Sequence, residues 1–287
     1  MARTAIGVDV GGTGVKAARV DADGAILSAA SVATAATPQA VLAQIDALIR
    51  DLDGADVAAV AVGVPGRVDF DSGRVLSGGF VDLSGPPLAL SLPSLRARPL
   101  VVDNDASMAL IGECRIGAAR GRRDVVLLTL GTGVGGAALM RGVVARGRGA
   151  AGQFGHVTVD LDGAPCKCGR RGCLETTSSG SALGALIREA GFAPTTRIED
   201  LLKRGDDAAR AVVEKWARPL RAGLDSLAAA FDPEIVVIGG ALGAAASQGL
   251  ARVPPGSSWF VYDVAAAALG DKAGVVGAAL AALDRAS

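Results

Sequence analysis

Thr4–Val20 reads TAIGVDVGGTGVKAARV, and Asp124–Met140 reads DVVLLTLGTGVGGAALM. Each stretch is an apolar run rich in β-branched residues, then a cluster of glycines, then a second apolar run. Such runs fit strands, and glycine supplies the backbone freedom that a tight turn between them needs. The pattern predicts a strand–glycine turn–strand unit that occurs twice, the second occurrence restarting the fold. The expected fold class is therefore a duplicated α/β chain of two lobes with a central cleft. The restart sets the expected boundary, with residues 1–117 as a smaller N-terminal lobe and 118–287 as a larger C-terminal lobe.

The flanking sequence fits this plan. DADG (Asp21–Gly24) is a turn signal before AILSAASV, so the chain opens as an antiparallel meander. TPQAVLAQIDALIRDL follows, with Thr37 as N-cap and Pro38 at the first helical position. Val41, Leu42, Ile45, Leu48, Ile49 and Leu52 then form a helical stripe. VAAVAVGVPG reads as a buried strand, and PLVVDND as another that ends on polar residues before a helix over about Ala106–Ala119. After the restart, the longest helix is expected over Asp206–Ala230, kinked at Pro219. EIVVIGG is a buried strand ending in GGALG, and AGVVGAALAALDRA is the final helix.

Half of the 287 residues are hydrophobic but only 3% are aromatic, so alanine, valine, leucine and glycine must build a closely packed core. Lys+Arg and Asp+Glu are equal at 29 each. Such a balance gives no sign of nucleic acid or an acidic membrane as partner. MARTAIGVDV lacks the apolar run and cleavage site of a signal peptide, and no apolar stretch is long enough to cross a bilayer. The expectation is a cytoplasmic protein whose thiols stay reduced.

Five stretches carry chemistry. In DVGGTGVK, the turn at Gly11 and Gly12 lets phosphate oxygens approach backbone N–H groups. Thr13 adds a hydroxyl, Lys16 a cation, and Asp9 an oxygen ligand for Mg²⁺ or its water shell. The competing reading is a plain hairpin turn. GTGVGG repeats the device at Gly131, Thr132 and Gly133. GGALG, with Gly239, Gly240 and Gly243, leaves room for an adenosine against the backbone, against the reading of a simple strand-to-helix turn.

In DNDAS (Asp103–Ser107), Asp105 is placed to accept the proton of an attacking hydroxyl, and Asn104 to bind a neighbouring one. The alternative is that Asp105 merely caps the following helix. Finally, the chain has one histidine and four cysteines, and GQFGHVTVDLDGAPCKCGRRGCLE collects His156, Cys166, Cys168 and Cys173. Four such ligands suffice for a closed tetrahedral Zn²⁺, which leaves no open position for water and so reads as structural. Cys114 lies apart, among hydrophobic neighbours on a predicted helix.

Together these residues resemble the ROK family of sugar kinases and regulators. The most specific element is H…CKCGRRGCLE, which is similar to the family's zinc motif C-x-C-G-x2-G-C-x-E. DVGGTGVK, GVPGRVD, ND and GTGVGG fall in the family's order. The resemblance implies an actin-like ATPase fold, ATP-dependent phosphorylation of a sugar hydroxyl (the primary 6-OH of a hexose), Asp105 as the base, and a homodimer. It places Arg67, Asn104, Asp105, His156 and Glu175 at the sugar, with one ring nitrogen of His156 on zinc and the other on a hydroxyl. The final helix is expected to pack back on the N-terminal lobe.

Two departures fall in the sugar pocket that the resemblance implies. The family's E-x-G-H reads QFGH here, so Gln153 stands in place of a sugar-binding glutamate. SGGFVDLSG (Ser77–Gly85) lacks the asparagine that the family carries in that segment. Neither touches the phosphate turns. The reaction is expected to be kept and the acceptor to differ, with an amino sugar or a cyclitol as the alternative to a common hexose. A non-catalytic sugar-responsive regulator is the non-enzyme alternative, opposed by the intact phosphate turns and by Asp105.

Overall fold

The computed structural model describes residues 3–256 and 259–286. The elements in chain order are β1 (Thr4–Val10), β2 (Gly14–Val20), β3 (Ile26–Ala33), α1 (Pro38–Leu52), β4 (Val57–Val64), β5 (Arg67–Asp69), β6 (Arg74–Ser77), β7 (Leu100–Asn104) and α2 (Asp105–Ile116). They continue with β8 (Val125–Leu130), β9 (Val134–Met140), β10 (Val143–Val144), α3 (Leu174–Ser178), α4 (Gly180–Glu189), α5 (Ile198–Lys203) and α6 (Asp207–Phe231). The last are β11 (Ile235–Gly239), α7 (Gly243–Leu250), β12 (Asp263–Ala266) and α8 (Ala273–Ala286).

The chain forms two compact units, and neither is one continuous segment. The first runs to Gly121 and takes up Val144–Ala151 and Asp271 onward; the second consists of Arg122–Val143 and Gly152–Gly270. The division differs from the expected boundary after residue 117. It falls four residues later, and two short later segments return to the first unit. The restart of the strand pattern marks where the second sheet begins, but cannot reveal which later segments pack on the first.

In the first unit a five-stranded sheet has the order β3-β2-β1-β4-β7. β1 pairs antiparallel with β2 and parallel with β4. Helix α1 is set by its cap and its stripe. Thr37 Oγ1 accepts from the Ala40 N–H at 3.3 Å, and Val41, Ile45, Leu48, Ile49 and Leu52 face the core. The final helix, α8, lies against β1 and α2 with almost no side chain between. A Cβ on Gly277 would come within 1.7 Å of the Met108 carbonyl oxygen, and one on Gly7 within 2.0 Å of the Val275 oxygen. A core poor in aromatic residues is built by backbone approach of this kind.

The second unit repeats the scheme, with a sheet in the order β10-β9-β8-β11-β12. β8 pairs antiparallel with β9 and parallel with β11, as β1 does with β2 and β4. Helix α6 runs unbroken through Pro219 and buries Trp216, whose indole N–H donates to the Ser179 carbonyl at 3.1 Å. Among the described residues no helix is long and apolar enough to cross a membrane.

Candidate active site and metal centre

In the first unit, Gly11–Thr13 join β1 to β2. The Gly11 N–H donates to the Gly14 carbonyl at 3.0 Å and the Thr34 hydroxyl to the Gly11 carbonyl at 2.6 Å, which fixes the turn. Gly12 and Thr13 are exposed. Asp9, at the end of β1, is half-buried, and burial pushes its carboxyl up to about 6 against the opposing pull of Lys16. Gly274 of α8 makes room for that carboxylate, since a Cβ there would sit 2.6 Å from Asp9 Cγ. Lys16, expected at the phosphates, pairs here with Asp271, at 3.2 Å to Oδ2 and 3.3 Å to the carbonyl.

At the junction of β7 and α2, Asn104 is the N-cap. Its Oδ1 accepts from the Ala106 N–H at 3.0 Å and the Ser107 N–H at 3.3 Å, and its Nδ2 donates to the Gly66 carbonyl at 3.0 Å. This corrects the reading of Asp105 as the cap, because Asp105 is the first helical residue. Asp105 Oδ1 also accepts from the Ala106 N–H at 2.9 Å. Burial pushes the Asp105 carboxyl up to about 7, and the negative charge of Asp9 adds to the rise. A carboxyl poised near neutral pH is what a general base requires. Asn104, expected at the sugar, already uses its oxygen and one of its two amide hydrogens. Arg67 is exposed at the start of β5, and its Nη2 donates to the Arg148 carbonyl at 3.4 Å.

In the second unit, Gly131–Gly133 join β8 to β9, closed by the Gly131 N–H donating to the Gly133 carbonyl at 3.0 Å. The start of α4 backs this turn. The Gly180 N–H reaches the Gly131 carbonyl at 2.7 Å, and Ser181 Oγ donates to the Thr132 carbonyl at 2.8 Å. Gly240, at φ +79°, sets the third glycine turn on the end of β8, where the Leu242 N–H donates to the Leu130 carbonyl at 3.0 Å. The fold thus brings Gly131–Gly133 and Gly239–Gly243 together at the C-terminal ends of two adjacent parallel strands.

Glu175, expected at the sugar, serves the second turn directly. Its Oε2 accepts from the Val134 N–H at 2.9 Å, and Lys167 Nζ lies 3.3 Å from Oε1. A Cβ on Gly133 would meet Glu175 Oε2 at 2.4 Å, so the turn and the carboxylate require each other.

Glu175 follows the cysteine loop by two residues. The donor atoms of His156, Cys166, Cys168 and Cys173 all lie within 4.8 Å of one another. Cys166 Sγ is 3.6 Å from His156 Nδ1, and Cys168 Sγ is 3.6 Å from Cys173 Sγ. A tetrahedral zinc, with Zn–S near 2.3 Å and Zn–N near 2.0–2.1 Å, sets neighbouring donors roughly 3.5–3.8 Å apart. The residues therefore fit the ion. Nδ1 is the nitrogen turned to the thiols, which leaves Nε2 of His156 facing elsewhere. Gly172, at φ +64°, shapes the knuckle, and no side chain fits there against the Asp160 carbonyl. Gln153 precedes the short turn Phe154–His156, and the His156 N–H donates to its carbonyl at 3.0 Å.

A family model described as "ROK family" matches residues 5–285. The chain belongs to the ROK family. It is 37% identical over 309 aligned residues to a glucokinase of Streptomyces coelicolor, covering 96% of each chain. It is 33% identical to an N-acetylmannosamine kinase of Escherichia coli, covering 97% of this chain and 98% of the other. Among solved structures, a ROK family glucokinase from Streptomyces griseus, in complex with glucose and AMPPNP, is similar at TM-score 0.84 and 35% identity. That likeness covers 98% of this chain and 99% of the other. The fold is the actin-like ATPase fold of ROK sugar kinases.

One part of this ROK chain escaped the sequence reading. Asp103 is 3% exposed, and its Oδ2 accepts from Arg146 Nε at 2.9 Å. The guanidinium lies 3.7 Å from the centre of the Phe70 ring. The available signal was an acidic residue closing an otherwise buried strand, which demands a cation from elsewhere in the chain.

Proposed function

We propose that this chain transfers the γ-phosphoryl group of ATP to a hydroxyl of a hexose-like acceptor, the primary 6-OH, with Asp105 as general base. The chain is an ATP-dependent sugar kinase of the ROK family. The observation that carries the finer reading is the Asp105 carboxyl at the β7–α2 junction, lifted to about 7 by burial and further by the charge of Asp9. The acceptor hydroxyl gives its proton to Asp105 as its oxygen bonds to the γ-phosphorus, and the bond to the β–γ bridging oxygen breaks to release ADP. A positioned base contributes about 10²–10⁴-fold. The backbone N–H groups of Gly11, Gly12 and Thr13, and of Gly131–Gly133, are proposed to hold phosphates, and Gly239–Gly243 to border the adenosine.

Asp9 is proposed to hold the Mg²⁺ that accompanies ATP, and Lys16 to exchange Asp271 for phosphate. An exposed ion pair is worth only about 0–1 kcal/mol, so this exchange costs little. Arg67, Asn104, Gln153, His156 and Glu175 are proposed to bind acceptor hydroxyls. Zn²⁺ on His156, Cys166, Cys168 and Cys173 is proposed as structural, ordering the loop that precedes Glu175. A homodimer and a cytoplasmic setting complete the reading. ADP release across hexoses, amino sugars and cyclitols, with ATP and with polyphosphate as donor, tests it. Absence of acceptor-dependent ADP release throughout would overturn it.

Gln153 favours the second reading, an amino sugar or cyclitol. A carboxylate accepts from two hydroxyls, whereas glutamine turns a donor toward one of them. With glucose the mismatch costs about 1–3 kcal/mol, roughly 5- to 150-fold. Gln153→Glu is expected to raise kcat/KM for glucose by that factor. A wild-type enzyme already near 10⁵ M⁻¹s⁻¹ on glucose, in the ordinary range for a good substrate, with no gain in the variant, would show that Gln153 does not set the preference.

A further inference from the structure

Asn104 and Asp105 are held from two sides. On one, Asn104 Nδ2 donates to the Gly66 carbonyl at 3.0 Å. On the other, the Asn104 N–H donates to Asp103 Oδ1 at 2.8 Å, while Asp103 Oδ2 takes the Arg146 Nε–H at 2.9 Å. Asp103 is 3% exposed, so the one carboxylate joins the backbone beside Asp105 to a guanidinium arriving 43 residues later. Val144 and Phe70 fix that guanidinium in turn, the carbonyl of the first accepting from Nη1 at 3.4 Å and the ring of the second lying 3.7 Å away.

We propose that Arg146 is a positioning residue for the Asn104–Asp105 turn, acting through Asp103. A buried carboxylate that loses its cation takes up a proton or turns toward water. Either change weakens its hold on the Asn104 N–H and lets Asp105 drift from the acceptor hydroxyl. Misplacement of a base by about 1 Å can cost on the order of 100-fold in rate. Arg is needed because one planar group must bond a carboxylate at its edge and cover a ring with its face. A lysine supplies charge but no face.

The proposal rests on Asp105 being the base. The test compares kcat and KM for ATP in wild type and in Arg146→Ala, Arg146→Lys, Asp103→Asn and Arg146→Ala/Asp103→Asn. The acceptor is the faster of glucose and N-acetylmannosamine. Arg146→Ala is expected to lower kcat by at least about 10-fold with KM for ATP within about 2-fold, and Arg146→Lys to recover part of the loss. Arg146 lines a cavity of about 550 Å³ with Val68, Phe70 and Leu76. Millimolar guanidinium should therefore enter the space left in Arg146→Ala and restore part of kcat, where equal sodium chloride does not. The double variant should be no slower than the slower single one, since both cut the same link.

Unchanged kcat with a lowered Tm would reduce Arg146 to a structural ion pair and overturn the proposal. Losses that multiply in the double variant would also overturn it. Asp105→Asn measured in parallel separates the two readings. Retained turnover there removes the base and this inference with it, while lost turnover there beside normal Arg146→Ala removes this inference alone.

Discussion

Asp105→Asn is expected to lower kcat by at least about 10²-fold while ATP and acceptor still bind. The substitution keeps shape and keeps an oxygen for the Ala106 N–H, now 2.9 Å from Asp105 Oδ1. The helix keeps its cap, because the cap is Asn104. What disappears is the group proposed to take the proton. Kinetics of the unchanged enzyme should carry the same signature. Burial and the charge of Asp9 lift the carboxyl to about 7, so kcat/KM should fall as pH drops below that value.

Stability should move the opposite way to activity. The folded carboxyl, raised above its ordinary value of 3.8, holds its proton up to about pH 7. Its favourable contribution is complete below the unfolded value and is lost as pH rises through the folded one. Asp105→Asn, which never ionises, should thus melt above wild type at pH 8, with the gap narrowing toward pH 5. Turnover within about 3-fold of wild type would contradict the assignment, since a positioned base is worth far more.

Removing the metal should have the next largest effect. Purified protein is expected to carry about one equivalent of zinc per chain, and Cys173→Ser to lose both zinc and much of its thermal stability. From Thr158 to Arg171 only Gly163 and Cys166 are buried, and Leu161 is 88% exposed, so the loop has almost no apolar material of its own to hold it. The consequence extends to the Gly131–Gly133 turn, proposed to hold phosphates. Cys173 fixes the start of α3, and α3 carries the Glu175 carboxylate that binds the Val134 N–H. Chelation should therefore raise KM for ATP before it abolishes turnover. Less than about a tenth of an equivalent, in protein never exposed to chelator, would exclude a resident zinc, because structural sites bind with about 10–16 kcal/mol at neutral pH.

Local features were legible in the sequence where one residue type enforces one geometry. The two glycine hairpins, the capped stripe of α1 and the cysteine knuckle belong to this class. The cap of α2 was misplaced by one position, because Asp103, Asn104 and Asp105 are all good capping types and only the backbone decides among them. Partners distant in the chain were not legible. Lys16 meets Asp271, 255 residues away, and Asp103 meets Arg146. Glu175 was readable as a motif residue, but its bond to the Val134 N–H depends on how α3 is laid against β9, which no local pattern encodes.

The divided first unit sets an order on biosynthesis. The ribosome makes β1 long before α8, yet α8 is the helix whose backbone sits against Gly7 and Met108. Until Asp271 and the α8 residues Ala273–Ala286 emerge, the unit begun first lacks a wall of its core. The second unit, whose last segment ends at Gly270, can close before it. A nascent chain stalled short of residue 271 should accordingly present a protease-resistant second unit and an N-terminal portion still open to chaperones, so the unit begun first is the one finished last.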